Sequence, residues 1–163
     1  HDLVFGEWSE VRTARAEAIQ TLFTGANMKA KLNDEIRLEM WQKYIFISAM
    51  SGMTCLMRSS IGPIFETDYG TETYHRLLTE IVSIARAHEP RVSAEIPAYI
   101  LKQMEKLNPT MKSSMLRDME KGLPVEADHF HGHLIRIAPP SLDLPLLKAV
   151  YNALNIYQKN RQT

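Results

Sequence analysis

The sequence predicts an all-α protein of roughly six to eight helices, on three observations. Apolar residues recur at intervals of three and four through most of the chain, as in amphipathic helices. Glycines and prolines separate these segments from one another. Neither an internal repeat nor a heptad run is present. The chain therefore resembles neither a solenoid nor a coiled coil.

The composition is that of one ordinary globular domain. The chain has 163 residues, of which 45% are hydrophobic and 23% are charged. Nineteen basic and nineteen acidic side chains cancel, so no global field favours nucleic acid or an anionic membrane. A single cysteine, Cys55, excludes an internal disulfide, and its apolar neighbours indicate a packed thiol. No apolar run is of membrane-spanning length, so we expect a cytoplasmic protein.

One strand is predicted, at the start of the chain. Residues 3–6 (LVFG) have the composition of a short strand that ends in a glycine turn. A lone strand beside helices has nothing to pair with. We therefore expect residues 1–7 to be the terminal strand and linker of a separate domain, and residues 8–163 to form the helical domain.

Start and stop signals divide the first part of the helical region. A helix over residues 9–26 would begin at Ser9 and bury one face, which consists of Val11, Ala14, Ala18 and Leu22. A turn is expected at residues 30–32, and residues 33–35 (NDE) begin a central helix. That helix is expected to break or kink at residues 51–52, before residues 53–57.

Five further helices are predicted in the second part of the chain. A turn over residues 58–63 precedes them. The strongest pattern is a helix over residues 70–88, whose core stripe is Tyr74, Leu77, Leu78, Ile81, Ile84 and Ala85. The other helices are expected at residues 94–107, 113–121, 125–137 and 144–159.

A lysine lies on the apolar stripe of the central helix. Ile36, Met40, Lys43 and Ile47 recur at steps of four, three and four, which places them on one face. Lys43 could lay its stem along the core with its amine in solvent. Alternatively, it could lie in a dry cleft and give or take a proton. The spacing leaves both interpretations open.

Three further residues are candidates for a functional site, and two of them, Ser114 and Arg58, could bind an anion. Ser113 or Ser114 is predicted to cap a short helix that Gly122 closes. The Ser114 hydroxyl and the free backbone amides could receive a substrate carboxylate, or Ser114 could serve as a cap alone. Glu126 opens the next helix as a nominal surface carboxylate. Arg58 precedes a Gly-Pro turn and could anchor a carboxylate or phosphate, or tie the loop to a neighbouring acceptor.

The histidines at residues 129–133 (HFHGH) are candidate metal ligands. On a strand, the alternating histidines would face one side and could bind zinc. On a helix, successive histidines lie about 200° apart and do not converge. We favour the helix, and no metal site is predicted; a His-rich metal-binding protein is the least favoured interpretation.

Taken together, these segments resemble the C-terminal domain of the ketopantoate reductases, the NADP-dependent 2-dehydropantoate 2-reductase family. Residues 3–7 (LVFGE) are similar to the last strand of that family's nucleotide domain, and Trp41-x-Lys43 to its catalytic-lysine helix. The most distinctive match is residues 113–118 (SSMLRD), followed by residues 126–128 (EAD) and Gly132. The similarity is collinear over nearly the whole chain.

The resemblance implies a two-domain oxidoreductase of pantothenate biosynthesis. Its helical half is a multi-helix bundle of the 6-phosphogluconate-dehydrogenase C-terminal-like type, and its N-terminal Rossmann domain binds NADP through G-x-G-x-x-G. No such motif occurs here, so we expect this chain alone to bind NADPH poorly and to be inactive. The expected partner is a small-molecule 2-keto acid, with a homodimer left open.

The resemblance also assigns residue roles. Lys43 would be the general acid that protonates the carbonyl oxygen as hydride arrives. Ser114 would contact the substrate carboxylate, supported by Asp118, and Glu126 would contact a substrate hydroxyl or orient the lysine. A desolvated ammonium suits this chemistry because hydride transfer builds negative charge on oxygen.

Three positions depart from the family pattern. Where the family usually has asparagines lining the substrate pocket, this chain has Ile47, Ser51 and Ile61. Because sites built on hydrogen bonds discriminate strongly, we expect a more apolar 2-keto acid, bound in part by Ser51, with Arg58 as a replacement anchor. The alternative is a noncatalytic helical module of the same fold that binds a ligand or dimerises.

Overall fold

A computed structural model describes residues 2–104 and 106–162, and in these ranges the chain is mostly helical, as predicted. None of the helices there is both long and apolar enough to cross a membrane. In chain order the elements are β1 (Asp2–Phe5), α1 (Ala14–Leu22), β2 (Lys29–Leu32), α2 (Ile36–Met57), α3 (Ile61–Phe65), α4 (Gly70–His88), α5 (Ile96–Met104), α6 (Ser114–Glu120), a π-helical turn (Asp128–Gly132), α7 (His133–Ile137) and α8 (Pro145–Gln162).

The chain divides into two compact units, one ending at Lys43 and one beginning at Tyr44. In the first unit, β1 pairs in parallel with β2, with Phe5 opposite Leu32. The predictions of a lone strand and of a turn at residues 30–32 are therefore wrong. The strand β2 could not be recognised in the sequence KAKL, because the alternating pattern is only four residues long and two of those residues are lysines. That residues 1–7 belong to a separate domain stays a prediction.

The first helix is shorter than predicted and begins later. Thr13 caps α1, since its hydroxyl accepts a hydrogen bond from the Ala16 amide at 3.2 Å. Ser9 does not start the helix because residues 7–10 form a turn in which Glu10 adopts a φ of 57°. The predicted buried face is also wrong: Val11 and Leu22 are 62% and 81% exposed.

In the second unit, α4 forms the centre of the core and matches its predicted bounds. It packs against α3, α5, α7 and α8. All six residues of its predicted core stripe are buried: Tyr74, Leu77, Leu78, Ile81, Ile84 and Ala85. Cys55 is buried as well, and burial raises the pKa of its thiol to about 11, which confirms the prediction of a packed thiol.

The helix α2 continues unbroken through the predicted break at residues 51–52. Gly52 allows close packing instead, because a Cβ atom there would lie 3.0 Å from the imidazole Nε2 of His131 and 3.2 Å from Leu77. The helix ends where Arg58 adopts a φ of 52°. The predicted helix over residues 125–137 is interrupted by the π-helical turn before α7 begins.

Candidate functional site

A cavity of about 330 Å³ in the second unit collects residues from three separate parts of the sequence. The second half of α2, the start of α6 and the segment that enters the π-helical turn form its walls. Residues lining it include Ile47, Ser51, Ser114, Arg117, Glu126 and Phe130. Three of the sequence-predicted site residues, Ser51, Ser114 and Glu126, therefore meet in one place.

A chain of buried hydroxyl groups fixes the start of α6 beside α2. The Ser113 hydroxyl caps α6 by accepting a hydrogen bond from the Leu116 amide at 3.0 Å. It also lies 2.8 Å from the Thr54 hydroxyl, which donates to the Met50 carbonyl oxygen at 2.8 Å. Since Thr54 has one hydroxyl proton, Ser113 donates to Thr54 in this arrangement.

Of the two serines that the sequence offers as caps, Ser113 is therefore the one that caps α6. Ser114 is the first residue of α6 and is exposed at the cavity. Its hydroxyl does not make the capping hydrogen bond, and the residue lines the cavity. Sequence reasoning could not separate the two adjacent serines because a shift of one residue in the helix start exchanges their roles.

The opposite wall is tied to α2 by two hydrogen bonds. The Tyr44 hydroxyl donates to the Phe130 carbonyl oxygen at 2.7 Å, and His131 Nε2 lies 2.9 Å from the Ser48 carbonyl oxygen. Burial raises the pKa of Tyr44 to about 12, which keeps its hydroxyl a donor. Short π-helical turns inside helices frequently mark functional sites, and this one places Phe130 on the cavity.

The cavity contains opposite charges that are not paired with each other. Lys112 is held in an ion pair with Glu120 at 2.6 Å. In the part of the chain that the structure describes, neither Arg117 nor Glu126 makes a salt bridge. A basic and an acidic residue thus line the same cavity. This arrangement can receive a ligand with both an anionic group and a hydrogen-bond donor.

Lys43 is exposed, so the prediction that it lies on a buried stripe is wrong. Met40 is also exposed, at 54%, and Ile47 is half-buried. In the second unit, the buried part of α2 consists of Ile45 and all of residues 48–55. An exposed amine fits the interpretation in which the lysine reaches solvent, and its catalytic role stays a prediction.

Three other candidates lie outside this cavity. The Arg58 guanidinium lies 5.3 Å from the centre of the Tyr157 ring. Asp118 is half-buried on α6, one turn after Ser114. Ile61 lines a separate groove of about 380 Å³ with Gly62 and apolar side chains of α5. Arg58, the predicted replacement anchor, and Ile61, at the third asparagine position, therefore do not line the cavity of Ser114 and Glu126.

The histidine run does not gather into a metal site. His131 is fully buried, with Nε2 on the Ser48 carbonyl group, whereas His129 and His133 are exposed. Among the residues described, no group of three or more His, Cys, Asp or Glu side chains could hold a metal ion. Burial lowers the pKa of His131, which is therefore neutral in the folded protein at pH 7.

Comparison with known proteins places this fold in a family. The family model described as "Ketopantoate reductase PanE/ApbA C terminal" matches residues 35–158. The chain belongs to the ketopantoate reductase C-terminal family. It is 37% identical over 162 residues to an uncharacterised oxidoreductase, YkpB, of Bacillus subtilis, with 99% of this chain and 54% of that protein covered. The chain thus spans about half the length of the curated relative it matches.

Solved structures share the fold. A dimeric ketopantoate reductase from Staphylococcus aureus superposes with a TM-score of 0.84 at 22% identity, covering 92% of this chain and 52% of that one. A D-mandelate dehydrogenase, solved with NADH and anilino(oxo)acetate, has a TM-score of 0.84 at 13% identity, covering 99% and 68%. At these identities the similarity establishes the fold and no substrate.

Proposed function

We propose that this chain is the substrate-binding domain of an NADP-dependent reductase that converts a 2-keto acid to its 2-hydroxy acid, with Lys43 as the general acid. One observation supports this above the others: Ser51, Ser114 and Glu126 line one cavity. They come from three separate segments, so their meeting is not a consequence of sequence proximity. Family membership supports an oxidoreductase, and the relative YkpB is described as one.

The nucleotide would be bound mainly by a part of the whole protein outside this chain. The seven glycines here do not form a G-x-G-x-x-G turn, and Gly25 and Gly122, which have positive φ, are far apart in the sequence. The residues present therefore do not fit the phosphates of a dinucleotide. When bound, the reduced nicotinamide supplies a hydride ion. NADP rather than NAD is proposed from the family resemblance alone.

The chain's own residues would handle the carbonyl group and the carboxylate. As the carbonyl carbon gains a hydride, its oxygen takes the π electron pair and then a proton from the Lys43 ammonium. Ile47 and Ser51 follow Lys43 on α2 at steps of four residues, and both line the cavity. Ser114 would donate to the substrate carboxylate, supported by Asp118 one turn later. Glu126 would accept from a substrate hydroxyl or orient the lysine.

The substrate we propose is more apolar than ketopantoate. Ile47, Met50 and Phe130 line the cavity, and Ile47 stands where the family usually has an asparagine. A pocket without these amide side chains does not favour a hydroxylated substrate, whereas burial of an apolar substrate side chain in it contributes favourable binding free energy. We therefore place a role in pantothenate biosynthesis second to reduction of another 2-keto acid. A homodimer is proposed by analogy with the dimeric relative. A cytoplasmic location is proposed from the sequence alone.

The test uses the whole protein, with NADPH oxidation followed against ketopantoate and a panel of apolar 2-keto acids. We expect turnover, fastest with branched or aromatic side chains. Ketopantoate as the best substrate would overturn the apolar proposal and leave the reductase. No turnover of any 2-keto acid, with NADPH bound, would overturn the reductase in favour of a noncatalytic module.

A further inference from the structure

Arg117 is a cation on the cavity wall whose position no sequence pattern singled out. It lies three residues after Ser114 on α6, which places both side chains on the same face of that helix, and both line the cavity. The side chain is exposed, and it makes no salt bridge within the described residues. Lys112, the other cation there, is already paired with Glu120.

A structural role for Arg117 is the simpler alternative. Arginine in the last turn of a helix interacts favourably with the helix dipole, by about 0.3–1 kcal/mol. That role would be fulfilled by any orientation of the side chain toward solvent. It does not require Arg117 to line the same cavity as Ser114 and Glu126, as it does.

The chemistry of the cavity determines which ligand suits Arg117. A guanidinium offers two parallel N–H donors that match the two oxygens of a carboxylate. Glu126 would repel a second carboxylate on its side, so the anionic end of a ligand belongs near Arg117 and Ser114. The apolar wall of Ile47, Met50 and Phe130 then remains for the rest of the molecule. A volume of about 330 Å³ is within the range of small-molecule sites.

We propose that Arg117 binds the substrate carboxylate together with Ser114 and thereby makes the site specific for 2-keto acids over their uncharged esters. This inference rests on the proposed reductase function. It assigns to Arg117 the anchoring role that the sequence had suggested for Arg58, whose guanidinium lies against Tyr157 instead.

The experiment compares an acid with its uncharged counterpart. In the whole protein, kcat and KM are measured with NADPH for 4-methyl-2-oxopentanoate and for its methyl ester, in wild type and in Arg117→Gln and Arg117→Lys variants. Arg86→Gln is the matched control, because Arg86 is likewise an exposed arginine in the last turn of a helix and does not line the cavity. Circular dichroism checks that each variant is folded.

We expect Arg117→Gln to lower kcat/KM for the acid by about 10- to 100-fold, mainly through KM, as for loss of a hydrogen bond to a charged group. The ester should change less than threefold, Arg117→Lys should recover part of the loss, and Arg86→Gln should match wild type. Equal losses on acid and ester, or no loss, would overturn the role of Arg117.

A different result would count against the reductase instead. If wild type turns over neither these compounds nor any other 2-keto acid of the panel while it binds NADPH, the proposed function fails, and binding of 4-methyl-2-oxopentanoate is then measured by calorimetry. Binding that Arg117→Gln weakens about tenfold or more would still support the carboxylate anchor. Equal binding by both proteins, or binding by neither, would overturn it.

Discussion

Two adjacent serines at the start of α6 should have separable roles, and replacing each by alanine tests this. Ser113 accepts from the Leu116 amide and donates to Thr54, and both hydroxyl groups are buried. Loss of a helix cap costs about 1 kcal/mol. Loss of the buried bond to Thr54 costs about 1 kcal/mol more. We therefore expect Ser113→Ala to lower the free energy of unfolding by about 2 kcal/mol.

Urea unfolding followed by circular dichroism measures the effect. With a denaturant slope of about 2 kcal/mol per molar, the midpoint should fall by about 1 M for Ser113→Ala. Ser114→Ala is the matched control and should change the free energy of unfolding by less than about 0.5 kcal/mol, because its side chain is exposed. Equal shifts for the two variants, or a larger shift for Ser114→Ala, would refute the assignment of the cap and of the free hydroxyl.

Three further predictions concern single groups. In the whole protein, Lys43→Ala should lower kcat at least 100-fold and leave the circular dichroism spectrum unchanged. The control variant Lys148→Ala, at another exposed lysine, should keep the kcat of wild type. An unfolded Lys43→Ala protein would indicate a structural role. Iodoacetamide should alkylate Cys55 about 100-fold more slowly in the native than in the urea-unfolded chain, because burial raises its pKa from 9.0 to about 11; comparable rates would contradict this. Burial lowers the pKa of His131 below 6.5, so the unfolded chain binds a proton at this histidine more readily than the folded chain does. The free energy of unfolding should therefore fall as the pH is lowered below 6.5, and it should fall less in His131→Gln than in wild type. Identical pH profiles of the free energy of unfolding in the two proteins would contradict this.

The elements that the sequence predicted best are those with long, regular patterns. The helix α4 matches its predicted bounds because nineteen residues of amphipathic periodicity leave little ambiguity. The cap of α6 was placed to within one residue, and Gly122, with a φ of 72°, lies just after the helix as predicted. By contrast, β2 is too short and too polar to predict without its partner strand.

The cavity could be predicted only in part. Ser51, Ser114 and Glu126 were identified, yet the spacing of residues cannot show which of several cations reaches a given wall. Arg58 ends α2 with a left-handed backbone and lies over Tyr157, whereas Arg117 looked like an ordinary surface residue of α6. Thr54 and Tyr44 were also missed, because their bonds to Ser113 and to the Phe130 carbonyl group join distant segments.

The most direct test of the central claim is NADPH oxidation by the whole protein in the presence of apolar 2-keto acids, with Lys43→Ala assayed beside wild type. The account predicts turnover by wild type, with the 2-hydroxy acid formed in an amount equal to the NADPH consumed, and a loss of at least 100-fold in the variant. Turnover that Lys43→Ala retains, or no turnover by a wild-type protein that binds NADPH, would contradict it.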